Sequence, residues 1–455
     1  MSTKNYIPAE DVTAVTLVGG EGSRLGPLVW SRTKAGVQFG TSRVTAAAIS
    51  SAFNSGVERA VLATQYLPFS LRKFYSTIYG VECGPDRKIT IISPHDTMKE
   101  DATYRGTAHA FSEALKIAGR MNPKYVLGLS GDHTYKFNFA GLFDQFYDRY
   151  DDNSFIVLTK KVKREEAHRF GIIQIKKGNT KIVSFKEKPQ DHELPEGDEL
   201  DASLGIYFAP TRVWQKALEI DQERARREES EQDLGKNVIP FLINRQNEFK
   251  VHAFPFSGYW QDVGEPQAYY ETCKDVFLKR NPDLFGDPTW KIDGIGEPEF
   301  IGNGKPYFKG GDVKINESNV GGTVISPGTT IERSTVEDSI LLGQSHNRRT
   351  NVRNYTTIRR AIVDKASDIG PNAEITSEEG VLIVTKDTRI PSGVKIRPKG
   401  DAVVASLERM AENYTNLTKY IDNLEKKGIA VQLYDPEGNE HHLEEIVTLG
   451  KALKR

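Results

Sequence analysis

Glycines and basic residues near the N-terminus have the types and spacing that phosphate binding requires. Gly19, Gly20 and Gly22 follow a short apolar run that is rich in β-branched residues. Glycines allow the backbone to approach a phosphate closely and to direct several N–H groups at it. Arg24 and Lys34 come next, and a guanidinium together with an ammonium suits a polyphosphate better than a single phosphate. The stretch therefore predicts polyphosphate binding, with an ordinary glycine turn as the alternative.

The spacing of these residues excludes two common nucleotide-binding loops. A Walker A loop requires the run G-x-x-x-x-G-K-[ST], which this stretch does not contain. The dinucleotide fingerprint G-x-G-x-x-G fails at Leu25, which stands where the third glycine belongs. The loop is therefore expected to bind phosphates in another way.

An aspartate and a lysine later in the chain could complete such a site. Asp132 follows the apolar run 125–129, which places it at the sheet edge where ligands bind. A phosphate-rich site needs carboxylates that hold Mg²⁺, although Asp132 seen alone could equally form a cap or a turn. Lys188 lies in the motif FKEKP and could anchor a phosphate as a point charge. A solvent-exposed pair with Glu187 is the alternative for this lysine.

The elements that must position these residues alternate between strands and helices. Short apolar runs predict buried strands and longer amphipathic stretches predict helices. The clearest strands are predicted at 60–64, 89–92, 125–129 and 155–158, and the clearest helices at 107–118 and 139–150. Such alternation predicts a Rossmann-like, mostly parallel α/β sheet covered by helices on both faces. The glycine loop would lie at the carboxyl edge of that sheet.

The pattern changes after a glycine- and proline-rich connector. Aliphatic residues recur six positions apart, as in Val352 and Ile358, and in Val384 and Ile390. This period predicts a short, irregular left-handed parallel β-helix, with a small antiparallel sheet as the alternative. From Val403 onward, apolar residues fall at alternating steps of four and three. That stripe predicts a C-terminal α-helical tail, which either docks on the β-helix or self-associates.

Composition narrows the class of protein. A chain of 455 residues is expected to form two or three domains. The net charge of −1 argues against nucleic acid as a partner. The two cysteines are far apart, which is typical of a reducing compartment. The sequence contains no uncharged apolar run of about 18 residues, so we expect no membrane-spanning helix. The start MSTKNYIPAE lacks the apolar core of a signal peptide, so we expect no leader. We therefore expect a cytoplasmic protein without a membrane partner.

Several motifs resemble those of the sugar-1-phosphate nucleotidylyltransferases, and most of all their glucose-1-phosphate adenylyltransferase (ADP-glucose pyrophosphorylase) branch. They are GGEGSRLGPL, YRGTA, SGDHTYK, FKEKP, DASLGIY, DLGKNVIP and GYWQDVG. The resemblance implies transfer of the adenylyl group of ATP to glucose 1-phosphate, with release of pyrophosphate. The product ADP-glucose would serve glycogen or starch-type glucan synthesis. The resemblance also implies Mg²⁺ as cofactor and a homo-oligomer, a tetramer.

The resemblance implies a role for each residue at a matching position. Arg24, Lys34 and Asp132 would be catalytic, and Asp132 and Asp262 would hold the metal. The substrate-binding residues would be Gly19, Gly20, Gly22, Gln65, Tyr104, Gly106, Thr107, Glu187, Lys188, Ser203 and Asp262. Lys188 would hold the sugar phosphate and Ser203 the sugar. The segment 104–108 would pack by the base, where His109 replaces the family's aspartate. Seen alone, Thr107 is a plausible helix cap, Ser203 an ordinary strand residue and His109 a first-turn histidine.

The same resemblance suggests a division of the chain. The predicted parts are a catalytic domain at 1–285, a linker at 286–318, the β-helix at 319–400 and the tail at 401–455.

The sequence also departs from the family. Ala35-Gly36 replaces the usual Pro-Ala, and the segment 41–53 is altered. Ser31 stands where some members carry an activator-binding lysine, while Arg32 and Arg43 remain. Sugar bisphosphates and 3-phosphoglycerate are therefore not expected as effectors, although another small anion could bind the arginines. Two alternative functions stay open: a catalytically weak regulatory subunit, or transfer between another nucleoside triphosphate and sugar 1-phosphate.

Overall fold

A twisted sheet of nine strands organises the N-terminal part of the chain. The computed structural model describes residues 6–20, 22–65, 67–79, 89–98, 103–281, 290, 292, 306–343, 348–406, 430–434 and 440–441. The first thirteen strands are β1 Val12–Leu17, β2 Gln38–Phe39, β3 Ser42–Arg43, β4 Arg59–Ala63, β5 Ile89–Ile92, β6 Tyr125–Ser130, β7 His133–Tyr135, β8 Ser154–Lys163, β9 Gly171–Ile175, β10 Ile182–Glu187, β11 Glu199–Pro210, β12 Lys250–Pro255 and β13 Trp260–Asp262.

Helices cover this sheet. The α-helices are α1 Ala46–Asn54, α2 Phe69–Tyr79, α3 Pro94–Thr97, α4 Thr107–Gly119, α5 Ala140–Arg149, α6 Thr211–Arg226, α7 Ile239–Asn244 and α8 Pro266–Phe277. Short 3₁₀ segments lie at Ala9–Asp11, Ser23–Val29, Lys34–Gly36, Arg164–Arg169 and Asp191–Glu193, and a π-helical turn at Leu234–Val238. The predicted strands and helices are confirmed, with bounds that differ by a few residues.

The order of the strands places the glycine loop at the centre of the sheet. The main path is β10-β9-β11-β6-β1-β4-β5, and β8 pairs with β11 and β12. Strand β1 runs parallel to β4 and β6, and β4 runs parallel to β5. Strand β11 is antiparallel to both β6 and β8. The predicted Rossmann-like, mostly parallel sheet is confirmed, with an antiparallel part on the β11 side.

Both faces of the central strands are buried. Ala14 and Val15 are adjacent in β1 and fully buried, yet they belong to different apolar clusters on opposite faces. One cluster contains Phe111 of α4 stacked on Trp214 of α6, and the other contains Ile49 of α1 and residues of α5. Burial on both faces explains why the strands read as continuous apolar runs.

A parallel β-helix follows the sheet domain. Its strands are β14 Phe308–Lys309, β15 Lys314–Asn316, β16 Asn319–Gly321, β17 Val324–Ile325, β18 Thr329–Glu332, β19 Thr335–Glu337, β20 Ile340–Leu341, β21 Thr350–Val352, β22 Thr357–Arg359, β23 Ala361–Val363, β24 Asp368–Ile369, β25 Glu374–Thr376, β26 Leu382–Val384, β27 Arg389–Ile390 and β28 Lys395–Ile396. They form three stacks of parallel strands. The aliphatic residues of the six-residue period, Val352 and Ile358 among them, are buried inside. The antiparallel alternative is therefore wrong.

The start of the predicted helical tail is a strand. Strand β29, Ala402–Ser406, adds to the β-helix by pairing in parallel with β26, so that Val403 stands opposite Ile383. Val403 is therefore not part of a helix. The two further strands β30 Ala430–Tyr434 and β31 Glu440–His441 extend this stack. The rest of the predicted stripe, 407–424, lies outside the described residues.

The β-helix is joined to the sheet domain through α8. Phe277 of α8 packs on Phe39 and Phe308, in a cluster that also contains Ile340 and Ile362 of the β-helix. Arg32 and Asp364 form a buried ion pair across the same junction. Among the described residues, no helix combines the length and apolar character that crossing a membrane would need.

Candidate active site

A cavity of about 540 Å³ lies beyond the carboxyl ends of β1 and β6. Every residue that the sequence predicted for the site lines this cavity except Gly22. The predicted residues that line it are Gly19, Gly20, Arg24, Lys34, Gln65, Tyr104, Gly106, Thr107, Asp132, Glu187, Lys188, Ser203 and Asp262. Segments far apart in the chain thus meet at one place, as the resemblance implied.

Gly22 belongs to the glycine loop but lies against Lys34 and does not line the cavity. Its φ of +63° is in the left-handed region, and a Cβ added there would lie 2.8 Å from the Cβ of Lys34. A side chain at this position would therefore be strained and would push Lys34 away. Gly22 supports the site by letting the loop lie close over the segment that carries Lys34.

Lys34 bridges the two predicted metal-holding aspartates. Its Nζ lies 2.7 Å from Oδ2 of Asp132 and 3.2 Å from Oδ1 of Asp262. The side chains of Lys34 and Asp262 are 7% and 6% exposed, while that of Asp132 is 32% exposed. Asp132 therefore presents its carboxylate to the cavity, and Asp262 lies deeper.

Asp262 attracts more positive groups than one carboxylate needs. Besides Lys34, its oxygens lie 3.3 Å from Nη2 of Arg169, 3.7 Å from Nη2 of Arg24 and 3.9 Å from Nε2 of His133. Several of these contacts are longer than ordinary hydrogen bonds. Asp262 is therefore shared among several cationic side chains that incoming phosphates could also contact.

The pKa values of this group show which forces dominate. Burial alone would raise the pKa values of Asp132 and Asp262, but the positive charge of Lys34 counteracts burial and both pKa values are lowered. Burial would likewise lower the pKa of Lys34, and attraction to the two aspartates raises it instead. The carboxylates are therefore ionised and Lys34 is protonated at neutral pH.

The same residues offer ligands for a metal ion. Oxygen atoms of Asp132 and Asp262 and a ring nitrogen of His133 all lie within 4.8 Å of one another. Ser130 donates a hydrogen bond of 2.6 Å to Asp132, and Nδ1 of His133 lies 3.0 Å from the carbonyl oxygen of Leu204. Two ionised carboxylates in the wall of this cavity fit a hard divalent cation such as Mg²⁺.

The opposite side of the cavity carries Glu187, Lys188 and Ser203. Burial raises the pKa of Glu187, and a Cβ on Gly235 would lie 2.6 Å from its carboxylate. Lys188 has a positive φ of +46°, and its Nζ lies 3.6 Å from Glu187 with 61% of the side chain exposed. Lys188 is thus in the cavity wall while its ammonium still reaches solvent.

The side chain of Gln65 forms two hydrogen bonds with the backbone of Tyr104. Tyr104 donates its N–H to Oε1 of Gln65 at 2.9 Å, and Nε2 of Gln65 donates to the carbonyl oxygen of Tyr104 at 3.3 Å. Gly106 approaches the carbonyl oxygen of Gln232 so closely that an added Cβ would lie 2.3 Å from it. This wall is therefore fixed by contacts between distant segments.

Thr107 is not the cap of its helix. Helix α4 begins at Thr107 itself, after Gly106 as N-cap. The Thr107 hydroxyl donates to Asp233 at 3.0 Å and accepts from the N–H of Leu234 at 2.8 Å. His109 lies in the first turn of α4 and accepts a hydrogen bond from the N–H of Arg105, as the simpler interpretation predicted.

Arg169, His133 and Asp233 are charged or ionisable residues of the cavity lining to which sequence reasoning gave no role. His133 and Asp233 lie inside motifs that were recognised, so their position was known but not their role. Arg169 precedes the Phe170–Gly171 pair at the start of β9, a position that carries no local signature. Only the fold brings it to Asp262.

Comparisons with known proteins agree with this geometry. A family model described as nucleotidyl transferase matches residues 13–277. A glucose-1-phosphate adenylyltransferase of Acetivibrio thermocellus is 30% identical over 433 residues, 90% of this chain and 96% of that protein. One of Fervidobacterium nodosum is 36% identical over 287 residues, 62% of this chain and 65% of that protein. One of Bacillus cereus is 31% identical over 385 residues, 81% of this chain and 94% of that protein.

The family model extends from β1 to the end of α8, and the longer alignments cover most of the chain. The chain belongs to the nucleotidyl transferase family.

Proposed function

We propose that the protein transfers the adenylyl group of ATP to glucose 1-phosphate, forming ADP-glucose and pyrophosphate for glucan synthesis. The cavity that joins the glycine loop, two acidic residues and Lys188 is the observation that carries this proposal. The names of relatives at 30–36% identity support the choice of ATP and glucose 1-phosphate.

The proposed reaction is an in-line substitution at phosphorus. A phosphate oxygen of glucose 1-phosphate forms a bond to the α-phosphorus of ATP, and the bond from that phosphorus to the β-phosphate bridging oxygen breaks. Such transfers depend mainly on positioning and on charge stabilisation. Arg24 and Lys34 take up the charge of the leaving pyrophosphate, while Lys188 holds the attacking phosphate.

Asp132 and Asp262 would hold Mg²⁺. When bound, this ion would neutralise negative charge on the α-phosphate and on the leaving group. The protein's own part is to keep these carboxylates ionised, since Lys34 lies within 3.2 Å of both. No nucleophilic cysteine or histidine is needed, because the substrate provides the attacking oxygen.

A substrate panel tests this proposal. The purified protein is incubated with Mg²⁺, each common nucleoside triphosphate and glucose, mannose or N-acetylglucosamine 1-phosphate, and pyrophosphate release is measured. The proposal expects the highest rate with ATP and glucose 1-phosphate. A preference for another nucleotide base would overturn the adenylyl assignment.

A catalytically weak regulatory subunit is the second candidate, because the segment 41–53 departs from the family. Most of this segment forms the largely buried helix α1, and Arg24, Lys34, Asp132 and Asp262 line one cavity, which supports an active enzyme. Silence across the whole substrate panel would favour the regulatory subunit.

We also propose a cytoplasmic homo-oligomer, a tetramer as in the resemblance, that does not respond to fructose 1,6-bisphosphate or 3-phosphoglycerate. Arg32 already pairs with Asp364, which supports the lack of response to these two effectors.

Light scattering of the purified protein tests the tetramer. A strong rise in rate with either effector would contradict the second expectation, and another small anion remains open as a ligand of Arg43.

A further inference from the structure

Arg169 is a cation of the cavity to which the proposed mechanism gives no task. It ends the 3₁₀ segment Arg164–Arg169, and its side chain is 20% exposed. Its Nη2 lies 3.3 Å from Oδ2 of Asp262, and its guanidinium lies 5.4 Å from the centre of the Phe170 ring. Among the residues that the structure describes, none accepts a hydrogen bond from its buried Nε.

A buried donor without an acceptor is costly, so its presence calls for an explanation. Asp262 cannot supply the missing acceptor alone, because Lys34 and Arg24 compete for the same carboxylate. Arg169 lines the cavity, and its guanidinium keeps donors that Asp262 does not take up. A dianionic phosphate, with three oxygens, is the partner that matches a planar guanidinium.

The fold places Arg169 beside Lys188 at one side of the cavity. Strands β9 and β10 are antiparallel neighbours, with Gly171 opposite Glu187. The carbonyl oxygen of Phe170 accepts the N–H of Lys188 at 3.0 Å. Arg169 and Lys188 thus leave the same end of one hairpin, and both line the cavity.

We propose that Arg169 exchanges Asp262 for the phosphate of the sugar 1-phosphate, which it binds together with Lys188. This inference rests on the proposed function, because it deepens the acceptor half of the same site. It makes Arg169 a substrate-binding residue that is held ready by Asp262 while the acceptor is absent.

The test is calorimetric binding by wild type, Arg169→Gln and Arg169→Lys, with Mg²⁺ present. Glucose, mannose and N-acetylglucosamine 1-phosphate, inorganic phosphate and ATP are titrated separately. Arg169→Gln should bind the preferred sugar 1-phosphate about 10- to 100-fold more weakly, the loss expected for charge-assisted hydrogen bonds. Its affinity for ATP should change by less than about threefold on the same scale, and Arg169→Lys should recover part of the loss.

Arg164→Gln is the matched control, since Arg164 lies in the same 3₁₀ segment and donates to the carbonyl oxygen of Pro195 at 2.7 Å. It should bind both ligands like the wild type. Equal loss for ATP and sugar 1-phosphate in Arg169→Gln, loss for ATP alone, or no loss would overturn the inference. So would a wild type that binds none of the sugar phosphates.

Steady-state kinetics separate this inference from the proposed function. Arg169→Gln should raise KM for the sugar 1-phosphate and leave KM for the nucleotide near its wild-type value. If the wild type prefers another nucleotide, or transfers none, the adenylyl proposal fails. The Arg169-dependent binding of the sugar phosphate would then still stand by itself.

Discussion

The segment 32–34 contributes a basic side chain to each of two buried ionic centres, one in the cavity and one at the domain junction. Lys34 enters the cavity, where Asp262 faces four positive or protonatable groups at 3.2–3.9 Å. Arg32, two residues earlier, turns to the domain junction and pairs with Asp364 of the β-helix. The side chains of that pair are 2% and 0% exposed.

The difference lies in how completely each carboxylate is satisfied. Oδ2 of Asp364 accepts from Arg32, and Oδ1 accepts the N–H of Lys365 at 2.7 Å. Asp262 instead shares its oxygens among competing donors at longer range. A sealed pair stabilises one arrangement of the chain, whereas a carboxylate that lines a cavity and is shared among several donors can change partners. Access and competition, more than burial, therefore distinguish a ligand site from a structural one.

Removal of one partner at the junction should give the largest effect. Arg32→Met leaves Asp364 charged and buried, which costs about 3–5 kcal/mol when a buried pair is broken. Thermal and urea unfolding monitored by circular dichroism measure this loss. The double variant Arg32→Met/Asp364→Leu should recover much of it, because no buried charge remains. A single variant as stable as the wild type would show that the pair is not sealed.

In the cavity the expected effect is on the rate of the reaction. Asp132→Asn removes a carboxylate that faces the phosphates, and we expect kcat to fall about 10²–10³-fold, a loss of about 3–4 kcal/mol. Pyrophosphate release with the preferred substrate pair measures it. Asp148→Asn, at an exposed position of α5, is the control and should keep the wild-type rate. Near-normal kcat in Asp132→Asn would remove the central role given to this residue.

Lys365 allows the junction to be probed by pH. Burial, together with the neighbouring charge of Arg32, lowers the pKa of Lys365 from 10.5 to about 8. Below pH 8 the lysine is charged in the folded and unfolded states, so the folded protein bears the full penalty. Between about pH 8 and 10.5 the folded state loses the proton first, and the penalty disappears.

Lys365→Met should therefore be more stable than the wild type at pH 7, by about 1–3 kcal/mol. This advantage should shrink as pH rises from 8 to 10. Urea unfolding of both proteins at matched pH values measures the difference. Parallel curves would mean that the Lys365 charge is not penalised in the folded state.

The smallest effect is expected at an exposed ion pair of the same β-helix. Arg353 and Asp368 form two hydrogen bonds of 2.8 and 2.9 Å, but their side chains are 53% and 30% exposed. Arg353→Met should change stability by less than about 1 kcal/mol, as surface pairs do. A loss as large as that of Arg32→Met would mean that burial does not separate the two classes of pair.

Most of the fold and of the candidate site could be predicted from the sequence because local motifs indicate them. The glycine loop and Asp132 could be found because each follows its own buried strand, and parallel strands bring their carboxyl ends to one edge. The β-helix could be predicted for a similar reason, because the aliphatic residues that recur every six positions are the ones buried inside its coils.

The misses depend on contacts between distant segments. Thr107 is drawn away from capping by Asp233, and Arg169 reaches Asp262 only through the hairpin of β9 and β10. Val403 fits a helical stripe, but the open edge of β26 offers hydrogen bonds that hold it in a strand. Such competition between local pattern and tertiary partner cannot be read from spacing alone.

The number of coils in the β-helix sets the position of Asp364 relative to Arg32. Asp364 follows β23, the fourth strand of its stack after β14, β17 and β20, and successive strands lie about 4.8 Å apart. Inserting one coil before Asp364 would carry it past Arg32 by that distance, whereas a coil added after it would leave the pair untouched. Natural or engineered variation in the length of the β-helix should therefore be tolerated on one side of Asp364 and selected against on the other.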